Sequence, residues 1–334
     1  MSWLEPHWQR ISPVSVLLYP ASLLFRAVVA LRRVLYAAGI LPRTRLPVPV
    51  IVVGNIAAGG TGKTPLTLWL AALLRTRGRA PGIVCSGYGG THAGPLRVLP
   101  DSNPLVCGDE AVLLARRSGC EVWSGTDRVV AARALLAAQP ACDVVIADDG
   151  LQHYALARDI GICVVDGERG HGNGWLLPAG PLREPVARLA SVDAVVVNSG
   201  TGGRGLVPPG VPCFDMSLKG DEFHNLLNPG HRVSAGHFRG KRVHAVAGIG
   251  NPQRFFRQLA GLGLEFTAHP FPDHHAFGAG DLAFPGADAV LMTEKDAVKC
   301  QRFAAEMHWV LAVDAGPDPR LGDLVLQKLG TARG

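Results

Sequence analysis

The sequence predicts an α/β protein with two lobes, preceded by a helical segment that belongs to neither, and three observations support this fold class. Short apolar runs rich in β-branched residues alternate with Ala- and Leu-rich segments, as parallel strands alternate with the helices that cover a sheet. A Gly- and Pro-rich stretch at 199–212 interrupts the alternation, which then resumes. Residues 1–46 follow neither pattern. We therefore expect an N-terminal segment at 1–46, a first lobe at 47–212 and a smaller second α/β lobe at 213–334.

A phosphate-binding loop is predicted between the first strand and the first helix of the first lobe. The apolar run 48–53 ends in GNIAAGGTGKT, and a helical pattern follows. Glycine amides and the positive end of a helix favour an anion at this place. Ala57 stands where the general pattern has glycine, and the alternative is a plain Gly-rich turn. The first lobe is thus predicted to be P-loop NTPase-like. The expected nucleotide contacts are Ala57, Ala58, Gly59, Gly60, Thr61, Gly62, Lys63 and Thr64.

The remaining strands and helices are predicted from periodicity and composition. In the first lobe, strands are expected at 82–85, 121–123, 143–147, 160–165 and 194–197, and helices at 66–76, 110–117 and 128–138. In the second lobe, strands are expected at 213–218, 243–247, 264–268, 289–292 and 309–313. The last helix is expected to pack back on the first lobe.

A magnesium site is predicted where the strand 143–147 ends in Asp148 and Asp149. Mg²⁺ prefers oxygen ligands, and ligands of such sheets collect at the carboxyl ends of the strands. Lys63 is expected to reach the β- and γ-phosphates, and the Thr64 hydroxyl to join the two carboxylates at the ion. The alternative is a solvated Asp-Gly turn, and spacing does not say which aspartate lies nearer to the metal.

Other polar residues have competing interpretations. Asp109 either caps the helix after it or points a carboxylate into the cleft. His274, beside Asp273, either orients a general base or lies at the surface. Arg183 either binds phosphate oxygens or pairs near Glu184, and His153 is a weaker candidate beside the aspartate pair. Residues 293–296 predict a helix cap with a charged first turn.

The N-terminal segment predicts a membrane-associated helix. Residues 11–25 carry no charge, with Trp3 and Trp8 upstream and Arg32 and Arg33 downstream. The run is shorter than the ~20 residues of a spanning helix and contains Pro20, which favours a helix lying in the interface. The alternatives are a spanning anchor and a helix packed on the protein's own core.

Composition excludes several classes of protein. The net charge of +6 comes from scattered arginines without interleaved aromatic residues, so a nucleic-acid partner is not expected. The seven cysteines form no CxxC pair and several lie in apolar runs, which predicts buried thiols in a reducing compartment instead of disulfides or zinc.

Seven short motifs then occur in one order: VVGNIAAGGTGKTP at 52–65, SGYGG at 86–90, GDE at 108–110, ADDGLQH at 147–153, PAGPLREP at 178–185, PDHHAF at 272–277 and TEKDAVK at 293–299. Together they resemble the tetraacyldisaccharide 4'-kinase family, the lipid A 4'-kinases of Gram-negative bacteria, over residues 47–299. The family commonly has threonine at the position of Ala57 and arginine at that of Ser86.

The resemblance implies an ATP- and Mg²⁺-dependent kinase that phosphorylates the 4'-hydroxyl of a tetraacylated glucosamine disaccharide 1-phosphate, forming a lipid IV-A type product. It implies a catalytic dyad, which by motif position is Asp109 and His274, with Lys63 stabilising the transferred group. It also implies a location on the cytoplasmic face of the inner membrane. No obligate protein partner is expected. The alternatives are a soluble P-loop kinase for a small metabolite and a nucleotide-driven switch or maturation factor.

Overall fold

A computed structural model of the chain describes residues 4–198 and 203–331. The predicted loop at 199–212 lies partly outside the described residues. The α-helices are α1 (Glu5–Trp8), α2 (Pro13–Ala37), α3 (Lys63–Thr76), α4 (Pro104–Cys107), α5 (Asp109–Ser118), α6 (Arg128–Ala138), α7 (Pro252–Gly261), α8 (Glu294–Cys300) and α9 (Arg320–Thr331).

The strands form two sheets. The first sheet contains β1 (Val50–Gly54), β2 (Pro81–Cys85), β3 (Leu96–Val98), β4 (Glu121–Ser124), β5 (Val144–Asp148), β6 (Ile160–Asp166), β7 (Ala194–Asn198), β8 (Cys213–Lys219) and β15 (Asp314–Pro317). The second sheet contains β9 (Glu222–Asn225), β10 (Arg232–Ser234), β11 (Val243–Ala247), β12 (Thr267–Pro270), β13 (Ala289–Thr293) and β14 (His308–Leu311).

The first sheet has the order β15-β8-β7-β6-β1-β5-β2-β4-β3. All pairs from β8 to β4 are parallel, and only the edge strands β15 and β3 run antiparallel to their neighbours. β1 lies between β5 and β6, so the loop after β1 faces the ends of both strands. Chain order reverses at this point, which is where such sheets bind ligands.

Both faces of the first sheet are buried, which explains the continuous apolar runs in its strands. Ile51 and Val53 point into the core beneath α3, α5 and α9. Val50 and Val52 point into the opposite core, which includes residues of α6. The predicted α/β class, with a P-loop-like parallel lobe and a second α/β lobe, is confirmed. Helices cover both faces of the first sheet because its strands are apolar on both sides.

The second sheet has the order β10-β9-β14-β13-β11-β12. Strands β12, β11, β13 and β14 are parallel, and β9 and β10 are antiparallel additions at one edge. The strand expected at 264–268 begins instead at Thr267, because Leu264 turns into the core beside α7. Helix α8 follows β13 and packs against α5 of the first lobe.

The strand expected at 213–218, as the first of the second lobe, is observed as β8. It pairs in parallel with β7 of the first sheet. β15 pairs with it in turn, and α9 buries Leu321, Val325 and Leu329 in the first core. The chain therefore leaves the first sheet after Lys219 and returns to it at Asp314. Side-chain alternation does not encode which sheet a strand joins.

Helix α2 is continuous through Pro20 for 25 residues. By length and composition it is the one described helix that is apolar enough to cross a membrane. Buried core helices and signal sequences meet the same two criteria. Leu17 and Leu24 are 80% and 69% exposed, whereas Ser22 is buried. The Ser22 hydroxyl donates to Leu176 O at 2.6 Å and accepts from Ala179 N at 3.0 Å. One face of α2 is thus fixed to the first lobe while much of its apolar surface stays uncovered.

Candidate active site

The phosphate loop joins β1 to α3 and is held by two asparagine side chains, Asn55 at its start and Asn198 at the end of β7. Gly59 and Gly62 both have φ of 95°, a conformation that favours glycine. A Cβ on Gly62 would lie 2.5 Å from the Asn198 side-chain nitrogen, which donates to Thr61 O at 2.9 Å. Asn55 Nδ2 donates to Thr61 Oγ1 at 3.3 Å. These amides shape the loop, which contains all of the predicted nucleotide contacts from Ala57 to Thr64.

Lys63 and Thr64 lie next to the predicted aspartate pair. Lys63 Nζ is 3.6 Å from Asp149 Oδ1, and the Thr64 hydroxyl donates to Asp148 Oδ2 at 3.3 Å. Thr67, one turn further along α3, donates to the other oxygen of Asp148 at 2.9 Å. This proximity follows from the sheet order, because β1 and β5 are neighbours and end at the same edge. A loop, a lysine and two carboxylates therefore meet in one place.

The two aspartates differ in electrostatic environment. Burial and the nearby carboxylates of Glu110 and Asp149 raise the pKa of Asp148 to about 7, against the opposing charge of Lys63. Burial also acts on Asp149, but Lys63 and Arg183 outweigh it and lower the pKa of that carboxyl. Asp149 is thus firmly ionised, whereas the negative charge of Asp148 is not fully compensated by the protein.

Arg183 belongs to this cluster, whereas His153 has other contacts. Arg183 Nη1 donates to Asp149 Oδ2 at 3.1 Å, so the expected alternative of a pairing near Glu184 does not hold for this side chain. His153 Nε2 accepts from Arg128 N at 3.2 Å at the start of α6. Burial and the charge of Arg128 lower the pKa of His153. These contacts orient the first turn of α6, and the role of His153 at the site stays a prediction.

Asp109 and His274 come together across the two lobes. Asp109 is the first residue of α5 and is buried, while His274 follows β12 with φ of 58°. His274 Nδ1 lies 3.2 and 3.1 Å from the two carboxylate oxygens of Asp109. Burial opposes ionisation of Asp109, but His274, Lys295 and Lys299 together lower its pKa. Asp109 is therefore an ionised acceptor with a histidine donor fixed beside it.

Two lysines of α8 complete this cluster, and sequence reasoning missed them. Lys295 Nζ lies 3.0 Å from Glu110 Oε1, 3.2 Å from Asp273 Oδ1 and 3.4 Å from His274 Nε2. Lys299 Nζ lies 3.7 Å from Asp109 Oδ2 and 2.8 Å from Asp296 Oδ1. Their i, i+4 spacing in TEKDAVK was the available signal, since it places both on one helix face.

The predicted helix cap at the start of α8 is present. The Thr293 hydroxyl accepts from Asp296 N at 3.2 Å, and it donates to the Asp296 carboxylate at 2.7 Å. The same carboxylate accepts from Gly248 N at 3.0 Å, so it is buried but well bonded. Residues 293–296 thus form a cap, as expected, and the cap also anchors Asp296 for its pair with Lys299.

Ser86 is linked through Tyr88 to the cluster of Asp109 and His274. Its hydroxyl accepts from Tyr88 N at 3.1 Å, and the Tyr88 ring packs edge-on against His274 with centroids 4.7 Å apart. Serine at this position thus supports the turn that carries Tyr88.

The described residues show no cluster of three or more His, Cys, Asp or Glu side chains arranged to hold a metal ion by themselves.

Comparison with known proteins gives consistent results. The family model described as tetraacyldisaccharide-1-P 4'-kinase matches residues 14–330. The chain is 52% identical to the tetraacyldisaccharide 4'-kinase of Azoarcus sp. (strain BH72), over 98% of this chain and 95% of that one. It is 48% identical to the protein of the same name from Chromobacterium violaceum, with both chains fully covered.

A solved structure supports the same assignment. The crystal structure of the "apo" form of LpxK from Aquifex aeolicus in complex with ATP superposes with a TM-score of 0.79 at 29% identity, covering 95% of this chain and 99% of that one. The predicted resemblance is confirmed, and the chain belongs to the tetraacyldisaccharide-1-P 4'-kinase family.

Proposed function

We propose that this chain transfers the γ-phosphoryl group of ATP to the 4'-hydroxyl of a tetraacylated glucosamine disaccharide 1-phosphate at the cytoplasmic face of the bacterial inner membrane. The observation that carries the proposal is one cavity lined by Lys63 and Thr64 of the phosphate loop and by Glu110 and Lys295, which neighbour Asp109 and His274. The phosphate loop with Lys63, Asp148 and Asp149 provides a place for a triphosphate. The pair of Asp109 and His274 provides a group for the incoming hydroxyl.

The aspartate pair fits Mg²⁺. Burial and the carboxylates of Glu110 and Asp149 raise the pKa of Asp148 to about 7, so a divalent cation would relieve its charge. Asp149 Oδ1 is a buried oxygen without a hydrogen-bond donor in the described structure. Mg²⁺ typically takes one or two carboxylates and completes its shell with phosphate oxygens and water. Thr64, Asp148 and Asp149 are the proposed protein ligands, and the ion neutralises phosphate charge when bound.

The loop residues hold the triphosphate through the main chain. Amides from Ala57 to Thr64 are proposed to donate to phosphate oxygens, with the start of α3 adding its positive dipole. Lys63 and Arg183, both anchored on Asp149, are proposed to contact the transferred group. Such fixed charges account for most of the acceleration in phosphoryl transfer, because the reaction needs placement more than covalent help.

The second cluster prepares the acceptor. Asp109 is proposed to accept the proton of the 4'-hydroxyl, and His274 to orient it through the hydrogen bond from Nδ1. Lys299 Nζ lies 3.7 Å from the same carboxylate, at Asp109 Oδ2. Because Asp109 comes from the first lobe and His274 from the second, the proposed catalytic pair is complete only when the lobes are in contact. In this proposal each lobe is the part of the chain that is built around one of the two sheets.

The glycolipid acceptor accounts for α2. A tetraacylated disaccharide stays in the bilayer, so the enzyme has to work at the membrane surface. The uncovered apolar residues of α2 are proposed to lie at the headgroup level, with the helix fixed to the first lobe through Ser22. Trp8 Nε1 donates to Pro178 O, which attaches the preceding short helix near the phosphate loop.

The test uses labelled ATP, Mg²⁺ and the disaccharide 1-phosphate in detergent micelles. Label is expected in the glycolipid, on the 4'-oxygen, with no transfer after Lys63→Ala. A small soluble sugar and an acceptor-free reaction serve as controls for the two alternative functions. Transfer to the soluble sugar, or hydrolysis that the glycolipid leaves unchanged, would contradict the proposal.

A further inference from the structure

A basic cavity of about 640 Å³ lies at the amino-terminal edge of the first sheet. Its wall includes Arg33 from α2, Arg43 from the segment after α2 and Arg158 from the loop before β6. Asp193, which precedes β7, lines it as well. The phosphate loop contacts the other end of β7 through Asn198. The cavity is therefore separate from the proposed transfer site by the length of β7, roughly 16 Å.

The cations of this cavity exceed the available anions. No carboxylate lies within ion-pair distance of Arg33, Arg43 or Arg158 in the part of the chain that the structure describes. Arg188, a fourth arginine of the wall, is paired with Glu184 at 3.5 Å, and Glu184 is also bonded to the Tyr154 hydroxyl and to Gln152 Nε2. Three arginines thus face the cavity without a protein partner of opposite charge.

The carboxylate on the cavity wall is also engaged. Asp193 pairs with Lys328 Nζ at 2.7 Å and accepts from Gly161 N at 2.7 Å. Burial and repulsion by Arg188 and Arg43 lower the pKa of Arg158 to about 10. Unbalanced positive charge is a cost that a bound anion removes, so the cavity has the electrostatic character of an anion site.

Aromatic rings pack against two of the three arginines. Arg158 Cζ lies 5.8 Å from the ring centroid of buried Tyr154, and Arg43 Cζ lies 6.0 Å from that of Tyr36. Tyr36 of α2 packs against the Tyr154 ring at 5.6 Å. Packing on aromatic faces reduces the freedom of the guanidinium groups, and forked N–H groups are suited to phosphate oxygens.

The surroundings indicate an amphiphile as the ligand. Val34, on the wall of the cavity, is 60% exposed, and Leu31, one turn earlier, is 59% exposed. The basic cavity therefore opens beside the apolar face of α2. A free anion would use only the arginines, whereas a lipid would place its headgroup among them and its chains along the helix.

We propose that the cavity between α2 and the first lobe binds the phosphate headgroup of an anionic membrane lipid, with Arg33, Arg43 and Arg158 as its ligands. This inference rests on the proposed membrane location of α2, and it gives the far end of that helix a specific contact. The protein is then attached at two places, by apolar side chains along α2 and by a lipid headgroup at its end.

The test measures co-sedimentation of the full-length protein with phosphatidylcholine vesicles that contain or lack about one fifth phosphatidylglycerol. Wild type is expected to bind the anionic vesicles more tightly. Arg43→Gln and Arg158→Gln are each expected to remove about tenfold of that gain, as loss of a hydrogen bond to a charged group does. Arg26→Gln is the matched control, because Arg26 is exposed on α2 and does not line the cavity.

The outcomes separate the inference from its rivals. Equal losses in Arg26→Gln and Arg43→Gln would mean diffuse attraction and overturn the proposal. So would displacement of the protein from anionic vesicles by millimolar inorganic phosphate, which would indicate a free-anion site. Arg43 is exposed, so Arg43→Gln is expected to have the melting temperature of the wild type. If Arg158→Gln unfolds, Arg43→Gln still tests the proposal. Kinase turnover in detergent tests the proposed function separately, since vesicle binding does not require it.

Discussion

His274 Nδ1 lies 3.1 Å from Asp109 Oδ2, which joins two side chains 165 positions apart from different lobes. Helix α8 makes this contact possible, because it packs on α5 and brings Lys295 and Lys299 to the same carboxylate cluster. The pair is therefore a property of the interface between the lobes.

Asp109→Asn and His274→Ala are each expected to lower kcat about 10²- to 10⁴-fold, the range of general-base assistance. If the two residues act as a unit, the double variant loses about as much as the more damaging single one. Initial rates with saturating ATP measure this. His275→Ala is the control, because His275 contacts Asp281 and not Asp109. Additive losses would argue against a dyad.

Lys63→Ala is expected to lose at least as much activity as Asp109→Ala. The ammonium group and the loop stabilise charge on the transferred group, and such stabilisation is usually the largest contribution. The same assay compares the two variants under one set of conditions. An active Lys63→Ala enzyme would contradict the kinase mechanism even if the dyad variants behaved as predicted.

The stability of the Mg²⁺-free, nucleotide-free protein is expected to fall as pH rises between about 4 and 7 because of Asp148. Its pKa is raised from 3.8 to about 7, so the folded state binds the proton more tightly than the unfolded chain. Deprotonation therefore costs folding free energy, up to ~4 kcal/mol by linkage. Urea unfolding at several pH values measures the slope.

Asp148→Asn removes the titrating group and is the matched variant for this slope. The difference between wild type and Asp148→Asn isolates one carboxyl from the others that titrate in the same window. Added Mg²⁺ is expected to stabilise the wild type more at pH 8 than at pH 6, since ligands must be deprotonated. A parallel pH dependence in both proteins would refute the assignment.

Lys299→Met is expected to lower the free energy of unfolding by roughly 3 kcal/mol. Asp296 is fully buried, and loss of its 2.8 Å partner leaves an uncompensated charge. Lys295→Met is the comparison and should cost less, because its partners Glu110 and Asp273 are partly exposed. Chemical denaturation distinguishes them; a smaller loss for Lys299→Met would be inconsistent with this account.

Leu17→Asp combined with Leu24→Asp is expected to release the protein from vesicles while leaving its melting temperature unchanged. Both side chains are exposed, so a charge there disturbs no packing within the protein but opposes burial among lipid chains. Vesicle flotation and thermal melting are measured together. Leu227→Asp, on an exposed leucine of the second lobe, is the control. Unchanged flotation of the double variant would remove α2 from membrane attachment.

The sequence alone determined the features that depend on neighbouring residues. The strand, the glycine turn and the helix around Lys63 are local, because φ angles and helix dipoles are set within a few positions. The aspartates at the end of β5 could be placed near Lys63 because carboxyl ends of parallel strands share one edge. Ordered motifs identified the family and, with it, the pairing of Asp109 and His274.

Only the tertiary structure decided which distant segments meet. Asn55 and Asn198 support the phosphate loop, but nothing in their local pattern distinguishes them from other strand-end amides. Cys213–Lys219 joined the first sheet because parallel pairing with β7 was available there, a choice that its own alternation leaves open. The positions of Lys295 and Lys299 beside the dyad likewise follow from the packing of two helices. Local chemistry sets the parts of this protein, and long-range burial sets which parts share a site.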